Sequence, residues 1–120
     1  MKKLEEEAKK FMQLHNKSMM TADEYQRKAG ETAIYPKKDA LPYLSLGLVS
    51  EAGEVAGKVK KLIRDGTESD VASEVGDVLW YCAMLASEVG VSLGKIMENN
   101  LEKLNDRKQR GKLQGSGDTR

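Results

Sequence analysis

Cysteine, histidine, tryptophan and phenylalanine each occur once in this 120-residue chain, and proline twice. The lone cysteine, Cys82, has no partner for an internal disulfide, and its apolar surroundings suit a small core residue better than a nucleophile. The lone histidine, His15 beside Asn16, reads as a helix-end residue rather than a catalyst, and the shortage of histidine and cysteine speaks against zinc. Aromatic residues make up only 5% of the chain while charged residues make up 32%, a balance that disfavours β-sandwiches and suits a helical protein. A formal net charge of +1 leaves no global field to draw the chain to nucleic acid or to an anionic membrane. No apolar run approaches the length of a membrane span. The opening Met1-Lys-Lys-Leu-Glu-Glu-Glu has no signal-peptide core, so a cytoplasmic location is the expectation.

What is present is helical punctuation. Residues 1–16 read as a charged helix with a thin apolar stripe (Leu4, Ala8, Phe11, His15), an extension that packs on a partner or lengthens the fold. Thr21-Ala-Asp-Glu24 matches a capping box opening a short helix that Gly30 ends, and residues 31–40, with Pro36, form a loop. Pro42 suits the first turn of a long helix to about Arg64, turned by Asp65-Gly66. Its apolar side carries Leu44, Leu48, Ala52, Val55, Val59, Leu62 and Ile63, with Glu51 at the edge. Gly47 and Gly57 inside it each cost about 1 kcal/mol against alanine, which points to a close approach at those positions. A further helix spans about Ser69 to Glu88 and stops at Gly90. Its core side is Val71, Val75, Val78, Cys82, Leu85 and Val89, with Glu74 and Asp77 on the margin. Ser92 caps a last helix to about Arg110 with a stripe of Leu93, Met97, Leu101 and Leu104. The expected fold is all-α: an antiparallel hairpin of two long helices plus N- and C-terminal helices, completed by oligomerisation. Residues 1–18 form an extension, 19–111 the domain, and 112–120 a mobile glycine-rich tail.

Two carboxylate pairs stand out, Glu51-Ala-Gly-Glu54 and Glu74-Val-Gly-Asp77, each on one helix face by its i, i+3 spacing. Glu54 precedes Gly66 by 12 positions and Asp77 follows it by 11, so an antiparallel hairpin sets both pairs at nearly the same depth. Like charges about 4 Å apart repel by several kcal/mol at an effective dielectric near 20, and protonation, lysines or cations must relieve this. An all-oxygen donor set suits Mg2+ or Mn2+. The alternative is a set of surface acids paired with Lys58, Lys60 and Lys61, Glu54 and Lys58 being an ordinary i, i+4 pair. On the last helix Asn100, Lys103 and Arg107 share a face and are candidates for phosphate contacts, although cations there also suit a solvated helix end. Trp80 fits a core or subunit interface, with base stacking as its functional alternative.

These residues resemble the MazG-like nucleotide pyrophosphohydrolases of the all-α NTP pyrophosphohydrolase superfamily. The resemblance rests on Glu51-x-x-Glu54 and Glu74-x-x-Asp77. It is strengthened by Thr32-Ala-Ile-Tyr-Pro36, Leu46-Gly-Leu-Val-Ser-Glu-Ala-Gly-Glu54, Gly76-Asp-Val-Leu-Trp-Tyr81 and the ending Gly115-Ser-Gly-Asp118. It extends from about Met20 onward and implies the short single-domain type. It implies hydrolysis of a nucleoside triphosphate between its α and β phosphates, in a homodimer or homotetramer, with Glu51, Glu54, Glu74 and Asp77 as the catalytic Mg2+ ligands. Tyr81 and Asn100 would lie near the triphosphate. Where many members carry two adjacent glutamates, this chain has Ser50 before Glu51. Two other readings stay open: the same fold acting on another nucleotide phosphoanhydride such as phosphoribosyl-ATP, and a non-catalytic helical oligomer serving as a regulator or interaction module.

Overall fold

A computed structural model describes residues 2–14, 19–66 and 70–120. Among these the chain is all-helical: α1 (Lys2–Gln13), α2 (Ala22–Gly30), a 3-10 turn (Lys37–Asp39), α3 (Ala40–Asp65), α4 (Val71–Glu88) and α5 (Leu93–Gln109). The expected positions of His15 and Ser69 lie outside the described residues.

The caps follow the sequence closely. Thr21 Oγ1 accepts from the Glu24 amide at 3.1 Å, and Ser92 Oγ accepts from the Lys95 amide at 3.1 Å. Asp70 caps α4 by accepting from the Ser73 amide at 3.2 Å. Gly66 closes α3 with φ 63°, its amide donating to the Leu62 carbonyl at 2.9 Å, the left-handed geometry that glycine adopts without a Cβ penalty. Gly30 differs from expectation. It is the last residue of α2 and has no positive φ, and the helix ends in a right-handed turn at Glu31.

α3 and α4 form the antiparallel hairpin. On α3, Leu44, Leu48, Glu51, Val55, Lys58 and Leu62 alternate steps of four and three and are all buried or half-buried. On α4, Val71, Glu74, Val78, Tyr81, Leu85 and Glu88 repeat that spacing and are half-buried, as are Trp80 and Cys82 beside them. This is the spacing of a coiled-coil seam. It corrects the broader apolar side expected for α3: Ala52, Val59 and Ile63 are exposed, while Glu51 and Lys58 occupy the seam itself. On α4, Val75 and Val89 are likewise exposed.

The true core sits at one end of the hairpin. Ala29, Tyr35, Ala40, Leu44, Ala83, Met84 and Leu93 pack together, with Tyr25, Trp80, Tyr81 and Leu85 against them. The segment between α2 and α3 is tied to α4 by polar contacts. Trp80 Nε1 donates to Thr32 Oγ1 at 2.9 Å, and the Tyr35 hydroxyl donates to Glu88 Oε1 at 2.6 Å. Lys37 joins the same carboxylate at 3.2 Å and lies over the Tyr35 ring. α5 is joined to α2 where Gln26 Oε1 accepts from the Leu93 amide at 2.7 Å and Asp23 Oδ1 from the Gly94 amide at 2.8 Å. Beyond that end, Met97, Leu101 and Leu104 of the expected α5 stripe are exposed.

α1 buries none of its residues. Lys3 Nζ donates to the Gly66 carbonyl, placing this extension at the tip of the hairpin. A groove there is lined by Glu7, Phe11, Leu14, Asp70 and Ser73. On α3, away from the α4 seam, Leu46, Val49 and Ile63 are 72%, 73% and 81% exposed. The chain's accessible surface is 9223 Å². A folded monomer of 13.3 kDa exposes about 6,500 Å² by the usual size scaling. No helix among the described residues is long and apolar enough to cross a membrane.

Candidate metal centre

The hairpin brings three of the four carboxylates to one point. One oxygen each from Glu51 on α3 and from Glu74 and Asp77 on α4 lie within 4.8 Å of one another. Glu51 and Glu74 reach this point from the seam, half-buried, while Asp77 approaches from its exposed side. Glu54, one turn beyond Glu51, is exposed and outside this tight group.

The electrostatics follow from the crowding. Burial pushes the Glu51 carboxyl above the usual carboxylate range, and the charges of Asp77, Glu74 and Glu54 push it further. Lys58 offsets part of this charge. It does not pair with Glu54 along its own helix, and its Nζ reaches across the seam to Glu74 at 3.9 Å. A crowded set of carboxylate oxygens is the donor chemistry that suits a hard divalent cation. All three donors are carboxylate oxygens.

Tyrosines enclose the acids. Tyr81 lies in the seam, and its ring packs so closely on Gly47 that a Cβ at position 47 would fall inside it. Here the glycine expected to permit a close approach does so. Gly57 does not: a Cβ there would meet open space. Burial raises the Tyr81 phenol, and the neighbouring Tyr43, Glu51 and Asp77 raise it further. Tyr25 of α2 is raised first by burial and next by Asp77. Both phenols therefore hold their protons and are hydrogen-bond donors beside the acids. Tyr25 is not legible in the sequence as a neighbour of the acids. Tyr25 falls on the apolar stripe of α2 with Ala22 and Ala29, and nothing in its spacing points to Asp77.

Trp80 is held in the aromatic core, its ring edge-on to Tyr81 at 5.0 Å and to Tyr35 at 6.4 Å, with its indole N–H spent on Thr32. Asn100 is exposed on α5. Lys103 and Arg107 are drawn into ion pairs with Asp118 of the C-terminal segment, at 3.6 and 3.5 Å.

Residues 42–111 match the MazG nucleotide pyrophosphohydrolase domain, a span that takes in α3, α4, α5 and all four acids. The chain is also similar to the Gene 37 protein of Mycobacterium phage L5, at 46% identity over 114 residues, covering 84% of this chain and all of that protein. No solved structure matches it significantly. With the acidic seam, the all-helical hairpin and this match over more than half its length, the chain belongs to the MazG nucleotide pyrophosphohydrolase family.

Proposed function

We propose that the protein hydrolyses nucleoside triphosphates, ribo- or deoxyribo-, between the α and β phosphates, giving the monophosphate and pyrophosphate in a Mg2+-dependent reaction. The observation that carries this reading is the convergence of Glu51, Glu74 and Asp77 oxygens within 4.8 Å on a seam where Glu51 resists ionisation. Such a site gains by taking up a divalent cation, and Mn2+ serves as a substitute for Mg2+ on the same oxygen donors. When bound, the cation neutralises phosphate oxygens and lowers the pKa of a bound water.

The chain's own groups do the rest. Glu51, Glu74 and Asp77 hold the cation, with Lys58 limiting the net charge of the seam. Glu54, exposed at the rim, is free to orient a water for in-line attack on the α phosphorus. The protonated phenols of Tyr81 and Tyr25 donate hydrogen bonds to phosphate oxygens, and Gly47 fixes where the Tyr81 ring stands. Asn100, Lys103 and Arg107 supply further contacts to the phosphate chain, the two cations offsetting the charge of the leaving pyrophosphate. Trp80, locked in the core, acts by holding Tyr81 and the loop after α2 in place.

The active form is a homo-oligomer, a dimer or a pair of dimers. Supporting this are the exposed Leu46, Val49 and Ile63 stripe and a surface roughly 2,800 Å² larger than the size scaling of monomers gives, against about 800 Å² that each partner buries in a standard interface. The protein is expected to act in the cytoplasm on free nucleotides, with neither nucleic acid nor membrane as partner.

The test is a panel of NTPs and dNTPs with Mg2+ or Mn2+, followed by separate detection of pyrophosphate and orthophosphate. Pyrophosphate as the first product is the expected result. Orthophosphate first would overturn α–β cleavage, and no release from any member of the panel would favour a non-catalytic helical oligomer.

A further inference from the structure

The last turns of α5 and the segment after it form a second polar centre, built differently from the acidic seam. Gly111, Gly115 and Gly117 take positive φ values of 68°, 122° and 86°, and the chain reverses on them. Arg120 holds the loop together, its guanidinium donating to the carbonyls of Lys112, Leu113 and Gly117 at 3.3, 3.1 and 2.6 Å. The loop is thus closed by contacts that do not involve the Asp118 carboxylate.

That carboxylate lies against Lys103 and Arg107. Arg107 is 4% exposed, whereas the Asp118 side chain is 87% exposed. Asp118 Oδ1 is 3.6 Å from Lys103 Nζ and 3.5 Å from Arg107 Nη2, both longer than the roughly 2.7–2.9 Å of a direct charge-assisted hydrogen bond. Arg107 Nη2 spends its short bond, 2.6 Å, on the Asp118 carbonyl. Arg107 Nε is buried with no hydrogen-bond partner. A buried donor on a charged group costs free energy when left unmade. Two cations, one loosely held carboxylate oxygen and one spare buried N–H make an anion pocket that its occupant underfills.

We propose that Lys103 and Arg107 form a phosphate pocket which Asp118 occupies in cis, and that a phosphate group of an incoming nucleotide or pyrophosphate displaces the Asp118 carboxylate. This rests on the reading above that the two cations meet the phosphate chain, and adds a competitor built into the tail. A tetrahedral phosphate brings three acceptor oxygens and up to two charges, against two oxygens and one charge for Asp118. It can serve Lys103 and Arg107 together, the two groups that now share one Asp118 oxygen. Asp118 then acts as a threshold: polyphosphates expel it, and ligands with a single phosphate compete less well, which favours departure of a monophosphate product.

The test is calorimetric titration of inorganic pyrophosphate and of orthophosphate into the full chain in chelator, so that no metal enters. Three proteins are compared: wild type, Asp118→Asn, and Asp118→Asn combined with Lys103→Met. Asp118 is exposed and Asn is nearly isosteric, and circular dichroism verifies the fold of each variant. Asp118→Asn is expected to bind pyrophosphate roughly tenfold more tightly than wild type, as befits removal of a charged competitor from two cations. The gain should be smaller for orthophosphate and clearly reduced in the double variant, where only Arg107 remains. Pyrophosphate affinity within twofold of wild type in Asp118→Asn overturns the proposal. So does a gain that is undiminished without Lys103, since Lys103 is then no part of the pocket. No turnover enters this comparison, so absent hydrolysis would remove the enzymatic reading and leave the pocket standing, while intact hydrolysis with unchanged affinity would remove the pocket alone.

Discussion

The seam of α3 and α4 and the end of α5 solve opposite charge problems. On the seam, Glu51, Glu74 and Asp77 crowd like charges together with Lys58 as a distant counter-charge, and the Glu51 carboxyl is held above its usual range by burial and by its neighbours. At the end of α5, Lys103 and then Arg107 hold the Asp118 carboxyl below its usual range. The first centre gathers like charges that a cation would relieve, as proposed above. The second carries its own counter-charge in Asp118. Acidic residues thus mean different things according to what the fold places beside them, and the contrast can be broken in several ways.

The largest effect is expected from the seam. Glu74→Gln and Asp77→Asn should each lower steady-state pyrophosphate release by about 100-fold or more, the order lost when one preorganised electrostatic group is removed. Full activity in both folded variants would remove the metal assignment. Next is Gly47→Ala. The new Cβ meets the Tyr81 ring, and overpacking of this kind costs about 1–3 kcal/mol, read from urea unfolding. Unchanged or raised stability, as helix propensity alone would give, would mean that Tyr81 is not seated on Gly47.

The two centres should also show opposite pH dependences in metal-free protein. Because the folded-state value of Glu51 is raised, the unfolded chain ionises first as pH rises, and wild type loses stability from the ordinary glutamate range up to the folded value. Glu51→Gln should therefore be more stable than wild type at neutral pH, the gap closing in acid. The folded-state value of Asp118 is lowered, so its contribution is full above the ordinary aspartate range and is lost as pH falls through the folded value. Asp118→Asn should be less stable than wild type at neutral pH, the gap again closing in acid but with opposite sign. Thermal melts across pH read both; gaps of the same sign would erase the distinction between the centres. The smallest effect is expected for Glu54→Gln, which should slow turnover by less than about tenfold. A loss matching that of Glu74→Gln would place Glu54 among the ligands.

Much of the hairpin was legible because its signals are local. Gly66 fixes the turn, Thr21 and Ser92 fix helix starts, and the distances from Gly66 to Glu54 and Asp77 set the acids at one depth. What was not legible depends on which side each helix turns to its neighbour. Apolar periodicity put Glu51 on the edge of α3, yet its step of three from Leu48 and four to Val55 puts it in the seam. A search for the apolar face could not find this, because the seam itself is interrupted by Glu51 and Lys58. Gly47 and Gly57 read alike in sequence, and only the position of the Tyr81 ring separates them. The C-terminal segment read as a glycine-rich tail because the contacts of Arg107, Asp118 and Arg120 join side chains to a backbone path that only the positive-φ glycines allow.

The central claim is that the acidic seam is completed by a divalent cation. The most direct measurement is the melting temperature of wild type and Asp77→Asn in chelator and in Mg2+. Mg2+ is expected to raise the melting temperature of wild type, since ligand binding to the folded state stabilises it, and to leave Asp77→Asn nearly unmoved. A wild-type melting temperature indifferent to Mg2+, or an equal rise in both proteins, would contradict it.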